Sequence, residues 1–250
     1  MEKSTRPLVI FGINPVLEKL RSSPEQVFEL MMVKGRESAR LNSVIEEARR
    51  LGLPVHYVDA RRLNLLTEGG SHQGVAASTA PHSYLPFSDL LQALTSASRE
   101  RILVLDGLTD PRNFGALLRC ADAAGVQHVV IPKDRSVGVT PVVAKSSAGA
   151  ANYLKICRVS NLSRALEELK EEGCWILGLD AGAPECLFDR RYPEKLAVVL
   201  GSEGEGLRPL IRRGCDFLVS IPMLGKVSSL NVAVAGGICL YELVRQGKRD

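Results

Sequence analysis

A chain of 250 residues, 45% of them hydrophobic and 24% charged, holds enough apolar material for packed domains, and its composition excludes a disordered chain. No apolar run is long enough to span a bilayer, and the opening "MEKSTRPLVIFG" is too short in apolar residues for a secretory signal, so a cytoplasmic protein with no membrane partner is expected. The net charge of +4 permits an anionic partner without demanding one, and the six cysteines (Cys120, Cys157, Cys174, Cys186, Cys215, Cys239) show no C-x-x-C pair and no histidine at ligand spacing, which implies reduced thiols, mostly in the core, and no metal site.

The first part of the chain alternates strand-like runs with helical periodicity. "PLVIFG" is followed by a helix near Asn14 to Leu20, "VFELMMV" by a helix around Ala39 to Leu51, and "PVHYVD" precedes "HQGVAAS". This pattern predicts a small α/β domain over residues 1–78. Its basic residues gather in "KGRESAR", where Lys34, Arg36 and Arg40 form either a solvated helix face or an edge that contacts phosphate. Residues 79–98 shift toward Ser, Thr, Ala and Pro and read as a linker carrying the short amphipathic helix "SDLLQAL".

From residue 99 to 250 the runs "RILVLDGL", "HVVIPK", "CWILGLD", "LAVVLGSEG" and "FLVSIPM" are apolar, β-rich and bounded by Gly, Pro or Asp. Helical stretches follow over 115–125, 162–173, 207–213 and 230–246. Strand alternating with helix predicts an α/β fold with a parallel sheet covered on both faces. In such sheets ligands bind beyond the carboxyl ends of the strands, so the residues after each run are the candidates for chemistry.

Three of these ends stand out. In "DGLTDPRNFGALLRCADAAG", Asp110 and Pro111 can open a helix, and Asn113 and Arg119 lie six residues apart, about 600° of helical rotation, so they share a direction only if Asn113 precedes the regular helix. In "VVLGSEGEGL" the glycine spacing matches neither a dinucleotide fingerprint nor a P-loop, and Glu203 and Glu205 would repel a phosphate. Carboxylates on a glycine turn suit a ligand with a positive charge or hydroxyl donors, such as S-adenosylmethionine. In "KVSSLNVAVAGG" either Ser228 or Ser229 can cap a helix beginning at Leu230, and the lack of charge up to Glu242 implies a helix buried nearly all round, with Asn231 at its mouth in need of a polar partner.

Taken together, "DPRNFGALLRCADAAG", "LGSEGEGL" and "IPMLGKVSSLNVAVAGGICLYE" resemble, in order and spacing, the three motifs of the SpoU branch of the SPOUT RNA methyltransferases. "LTEGGSHQGVAA", "VIPKDRS" and the N-terminal domain extend the likeness to the enzymes that methylate the guanosine 2′-hydroxyl in large-subunit (23S) ribosomal RNA. The resemblance implies a C-terminal SPOUT domain whose last segment threads a deep trefoil knot, an N-terminal domain that binds RNA, S-adenosyl-L-methionine as cofactor, and a homodimer with sites near the subunit interface. It further implies catalytic roles for Asn113, Arg119, Glu203, Ser229 and Asn231, cofactor contacts at Gly201, Ile221 and Leu230, and an RNA path that includes Lys133, Arg135 and Lys145 of "AKSSAGA" beside the first basic cluster. A tRNA ribose methyltransferase of the same branch and a non-catalytic ribosome assembly factor stay open as alternatives.

Overall fold

The computed structural model describes residues 7–36 and 38–247. In chain order its elements are β1 (Leu8–Phe11), α1 (Ile13–Ser22), β2 (Val27–Val33), α2 (Ala39–Arg50), β3 (Val55–Val58), α3 (Ala60–Leu66), β4 (Val75–Thr79), α4 (Phe87–Ser96), β5 (Glu100–Leu105), α5 (Pro111–Ala123), β6 (His128–Pro132), α6 (Pro141–Ser146), β7 (Lys155–Val159), α7 (Leu162–Glu171), β8 (Trp175–Leu179), β9 (Glu185–Cys186), β10 (Lys195–Leu200), α8 (Pro209–Arg213), β11 (Phe217–Ser220) and α9 (Val232–Gly247). They fall into two compact units. One holds the described residues up to Ser83 together with Val139–Tyr153; the other holds Tyr84–Gly138 and the described residues from Leu154 onward.

The first unit is a four-stranded sheet in the order β1-β4-β2-β3, antiparallel except for the β2/β3 pair. In β2, Leu30 and Met32 face the core made by Val16 and Leu20 of α1 and Val44 of α2, whereas Met31 packs with Phe11 and with Leu63 of α3 on the opposite face. Coverage of both faces explains why "LMM" runs without polar alternation. Helix α3 escaped the sequence reading because its "ARRLNLL" buries only Leu63.

Two boundaries differ from the expectation. Helix α6, read as part of a catalytic domain over 99–250, packs on β1, and its Ala144 joins the core of the first unit, a long-range return that no local pattern reports. Of the stretch read as a linker over 79–98, residues 84–98 belong to the second unit and the rest to the first. Leu90 and Leu94 of α4 are fully buried, and Leu85 pairs with Cys157 beside β7.

The second unit is a seven-stranded sheet in the order β7-β6-β5-β10-β8-β11-β9, with every named pair parallel. Ile102 and Val104 of β5 face a core with α4 and with Leu166 and Leu169 of α7. The other face is covered by α5 and α9. A Cβ on Gly236 would stand 2.4 Å from Leu117 and 2.6 Å from Leu200, so glycine there lets α9 close on α5 and β10. Each fully buried leucine or isoleucine of this double-faced core contributes about 2 kcal/mol. Cys157, Cys174 and Cys239 are buried in it, and burial pushes the Cys174 and Cys239 thiols up to about 12. Strands β7 and β9 were missed, the first because Lys155 and Arg158 interrupt its apolar run and the second because it has two residues.

Helix α9 departs from the reading of a helix buried all round. Val234 and Tyr241, seven residues apart, are 51% and 52% exposed, so the charge-free stretch leaves an apolar stripe uncovered within one chain. Among the described residues no helix is long and apolar enough to cross a membrane.

Candidate active site

Sheet order places β5, β10, β8 and β11 side by side although they come from distant parts of the sequence, and their carboxyl ends converge. Each end is shaped by its own local chemistry. After β5, Asp110 caps α5, its carboxylate accepting from the N–H groups of Arg112 at 2.6 Å and Asn113 at 3.1 Å. After β10, Ser202 and Gly206 exchange two backbone hydrogen bonds at 3.1 Å, and Gly204 and Gly206 take the positive φ that this closed turn requires. After β11, Asn231 caps α9, its Oδ1 accepting from Ala233 N–H at 2.9 Å. The cap is therefore Asn231 and not Ser228 or Ser229, and the helix starts at Val232, two residues later than read.

These three caps and turns bring one network together. Asn231 Nδ2 donates to Asn113 Oδ1 at 3.0 Å, and Asn113 Nδ2 donates to Glu203 Oε1 at 2.7 Å. The polarity of the chain is fixed from both ends. The α9 N–H groups demand an acceptor, so Asn231 turns its oxygen to the helix and its amide N–H₂ outward; the Glu203 carboxylate accepts only, so Asn113 turns its N–H₂ to it. Each amide keeps one N–H, and Glu203 keeps one oxygen, for a further partner. Asn113 lies in the first turn of α5 rather than ahead of it, contrary to the condition under which it would share a direction with Arg119.

The network borders a cavity of about 460 Å³ at the ends of β8, β10 and β11, within the range of small-molecule sites. Gly201, Ile221 and Leu230 all line it, as do Glu203, Ser229 and Asn231. A Cβ on Gly201 would stand 2.0 Å from the Gly206 carbonyl carbon, so no side chain fits at the floor. Asp180 also lines the cavity, its carboxylate accepting from Arg212 Nε at 2.7 Å and Gly182 N–H at 2.8 Å. This residue was missed because it ends the run "CWILGLD" as an ordinary strand terminator would. Among the described residues no group of three or more His, Cys, Asp or Glu side chains could hold a metal ion.

The profile of the SpoU rRNA Methylase family matches residues 100–241, from the start of β5 into α9. The chain belongs to this family. A second profile, RNA 2′-O ribose methyltransferase substrate binding, matches residues 9–85. The 23S rRNA (guanosine-2′-O-)-methyltransferase RlmB of Shewanella oneidensis is 46% identical over 239 residues, 95% of this chain and 97% of that protein. A crystal structure of an RNA 2′-O ribose methyltransferase, 25% identical, superposes with a TM-score of 0.79 over 98% of this chain and 90% of its own. The SpoU methyltransferase AviRb of Streptomyces viridochromogenes, in complex with AdoMet, shares the fold at 24% identity, with a TM-score of 0.78 over 97% of this chain and 91% of its own.

Behind the turn of this SpoU methylase lies an ion pair that the sequence did not reveal. Asp106, 1% exposed at the end of β5, accepts from Arg208 N–H at 3.0 Å and from Arg208 Nε at 2.6 Å. A buried carboxylate bound twice to one residue pins the exit of the 201–207 loop to the end of β5.

Arg119 is exposed, and the described structure gives it no hydrogen bond or ion pair. Its six-residue offset from Asn113 within the regular helix corresponds to about 9 Å along the axis and a turn of about 240°, so its own chain does not bring it to the network. It lies on an exposed stripe of α5 with Arg112. Of the basic residues, Lys34, Arg36 and Arg40 are exposed in the first unit. The side-chain stem of Arg36 lies against Gly74. Lys145, in the same unit, donates to the Ser71 carbonyl and sits 5.1 Å above the Phe11 ring, and burial lowers its pKa. Lys133 and Arg135 are exposed in the second unit.

Proposed function

We propose that this SpoU methylase transfers a methyl group from S-adenosylmethionine to the 2′-hydroxyl of a guanosine ribose in 23S ribosomal RNA, as a cytoplasmic homodimer. The observation that carries the chemistry is the Asn231–Asn113–Glu203 network at the border of the 460 Å³ cavity. The choice of substrate rests on the 46% identity to the Shewanella RlmB over almost the whole of both chains.

The residues fit the cofactor. Leu179, Ile221 and Leu230 offer an apolar bed for an adenine, the absent side chain of Gly201 leaves backbone accessible, and the carboxylates of Asp180 and Glu203 suit an amino group or a sulfonium. S-adenosylmethionine supplies a methyl group on a sulfonium that leaves as a neutral thioether. Everything else falls to the protein. Asn113 and Asn231 present their remaining N–H groups to the ribose, and Glu203 holds Asn113 in that orientation. Ser229 shapes the same wall.

A ribose oxygen becomes a competent nucleophile as its proton departs, and a guanidinium does not lose its own proton in proteins. Arg119 therefore acts as a cation that binds the neighbouring phosphate and the developing oxyanion, while a phosphate oxygen or water takes the proton. Fixed positive charge of this kind in a dry site is worth about 3 kcal/mol. Because Arg119 faces away from the network of its own chain, it serves the site of a second copy. Its place on an exposed α5 stripe, on a helix packed against α9 with uncovered Val234 and Tyr241, supports that arrangement. The 221–231 segment lining the same cavity as the 201–206 turn is read as the crossing of the trefoil knot. Lys34, Arg36, Arg40, Lys133 and Arg135 supply phosphate contacts; Lys145 acts through the loop it holds.

Digestion and mass mapping of unmodified ribosomal RNA, incubated with the purified protein and S-adenosylmethionine, tests the reading. One 2′-O-methylguanosine in the large-subunit RNA is expected. In a parallel incubation with unmodified tRNA, methylated tRNA beside unmethylated ribosomal RNA rejects it, as does the absence of any methylated ribose.

A further inference from the structure

A second cavity, of about 720 Å³, opens at the same carboxyl edge of the large sheet, beyond the ends of β6 and β7 and against the residues that enter α8. It shares no lining residue with the cavity at β8, β10 and β11. Three to four strand spacings of about 4.8 Å separate the two, roughly 14–19 Å.

Its walls are chemically mixed in a particular way. Arg135 and Arg208 bring two guanidiniums to a lining with one carboxylate, Asp134. Arg208 is anchored by Asp106 yet 49% exposed, so its charge is fixed in place without being withdrawn from solvent. Arg135 holds φ at +55°, one of four non-glycine residues with positive φ among those described, and the loop is tied down two residues later by the Val137 N–H bond to Leu108 O at 2.9 Å. Such a backbone conformation is kept only where the surroundings over-determine it. Ser160 and Ser163 flank the start of α7, a ten-residue helix whose N-cap Asn161 accepts from the Arg164 N–H at 3.2 Å, leaving the N–H groups of Leu162 and Ser163 without intrahelical partners. The apolar lining includes Leu210, 62% exposed.

We propose that this cavity binds one nucleotide of the substrate RNA, a few positions along the strand from the methylated guanosine. Its phosphate lies toward Arg135 and Arg208, its sugar or base edge meets Ser160 and Ser163, and its base face covers Leu210. The volume admits a nucleotide, the exposed guanidiniums of Arg135 and Arg208 offer a phosphate its hydrogen bonds although Asp134 and Asp106 balance their charge, and an RNA strand that delivers its ribose to the Asn113 network runs along this edge of the sheet. The inference rests on the ribosomal RNA reading above and adds a site that fixes the register of the strand.

The test uses the full chain, S-adenosylmethionine and an unmodified large-subunit ribosomal RNA transcript. Ser163→Asp places a carboxylate in the first turn of α7, where it favours the helix while repelling a phosphate. Leu210→Glu changes an exposed side chain, and Arg135→Ala removes one phosphate contact. For the first two, the apparent Kd and KM for RNA rise about fivefold or more at low salt, with S-adenosylmethionine affinity and thermal midpoint unchanged or, for Ser163→Asp, a raised midpoint. Arg135→Ala lowers the slope of log affinity against log salt by about 0.7–0.9. A wild-type chain that methylates the transcript, beside Ser163→Asp and Leu210→Glu variants with wild-type KM and Kd, overturns the inference and leaves the function standing. A wild-type chain that transfers no methyl group to the transcript overturns both.

Discussion

Asn113 and Asn231 have only one orientation each that satisfies all their partners, because a helix terminus fixes one end of the chain and a carboxylate the other. In the reaction proposed above, that is why two amides, which carry no charge and no useful acidity, are assigned to the centre of the transfer site. They are positioned donors, and their value lies in not having to reorganise. Gly201 imposes a comparable constraint by absence. Gly201→Ala would press a methyl carbon into the Gly206 backbone, 2.0 Å from its carbonyl carbon, and the turn must open to relieve it. Calorimetry is expected to show S-adenosylmethionine affinity falling about tenfold or more, with a loss of stability of about 1–3 kcal/mol as for other overpacked sites. The residue identities of this network were legible in the sequence because each sits in a motif of unusual composition. Asp106 and Asp180 were not, since an aspartate ending a strand reads the same whether or not an arginine 102 or 32 residues away closes on it.

At the scale of elements, the central strands were readable wherever both faces are buried, as in "RILVL" and "LAVVL", and unreadable where a charged residue breaks the run, as in β7. Helix α4 shows the opposite failure. Its Ser- and Pro-rich surroundings signal a linker, yet two leucines on one face commit it to the core. The end of β4 carries a further consequence for stability. His82 is half-buried with its Nε2 shielded from solvent, and desolvation together with the neighbouring Lys19 pushes its pKa down to about 4. A histidine held below its ordinary value of about 6.5 is neutral in the folded unit, so its contribution is intact above pH 6.5 and is lost as pH falls from 6.5 toward 4. Urea unfolding at pH 7 and pH 4.5 checks this. The wild type should lose roughly 2–3 kcal/mol more than His82→Gln over that interval, whereas equal losses would show that His82 is solvated.

For the whole molecule, the decisive feature is that Arg119 and Asn113 belong to one helix but point apart. A site made from Asn113 of one copy and Arg119 of another gives a prediction that a self-contained site cannot. Arg119→Ala and Asn113→Ala chains, each inactive alone, regain about a quarter of wild-type activity when unfolded and refolded together, because half of the dimers are mixed and each mixed dimer holds one intact site. Sedimentation should give a dimer that Tyr241→Glu dissociates; a fully active monomer would end the proposal. Sequence reasoning reached the three strand ends and, through the family resemblance, one shared site, but not the strand order that joins them, with β10 inserted between β5 and β8. The most direct measurement of the central claim is single-turnover methyl transfer to ribosomal RNA by Asn113→Ala beside the wild type, with S-adenosylmethionine binding followed in parallel. The network at the cavity predicts a rate about 100-fold lower with cofactor affinity unchanged. A variant that transfers methyl groups at the wild-type rate would contradict it.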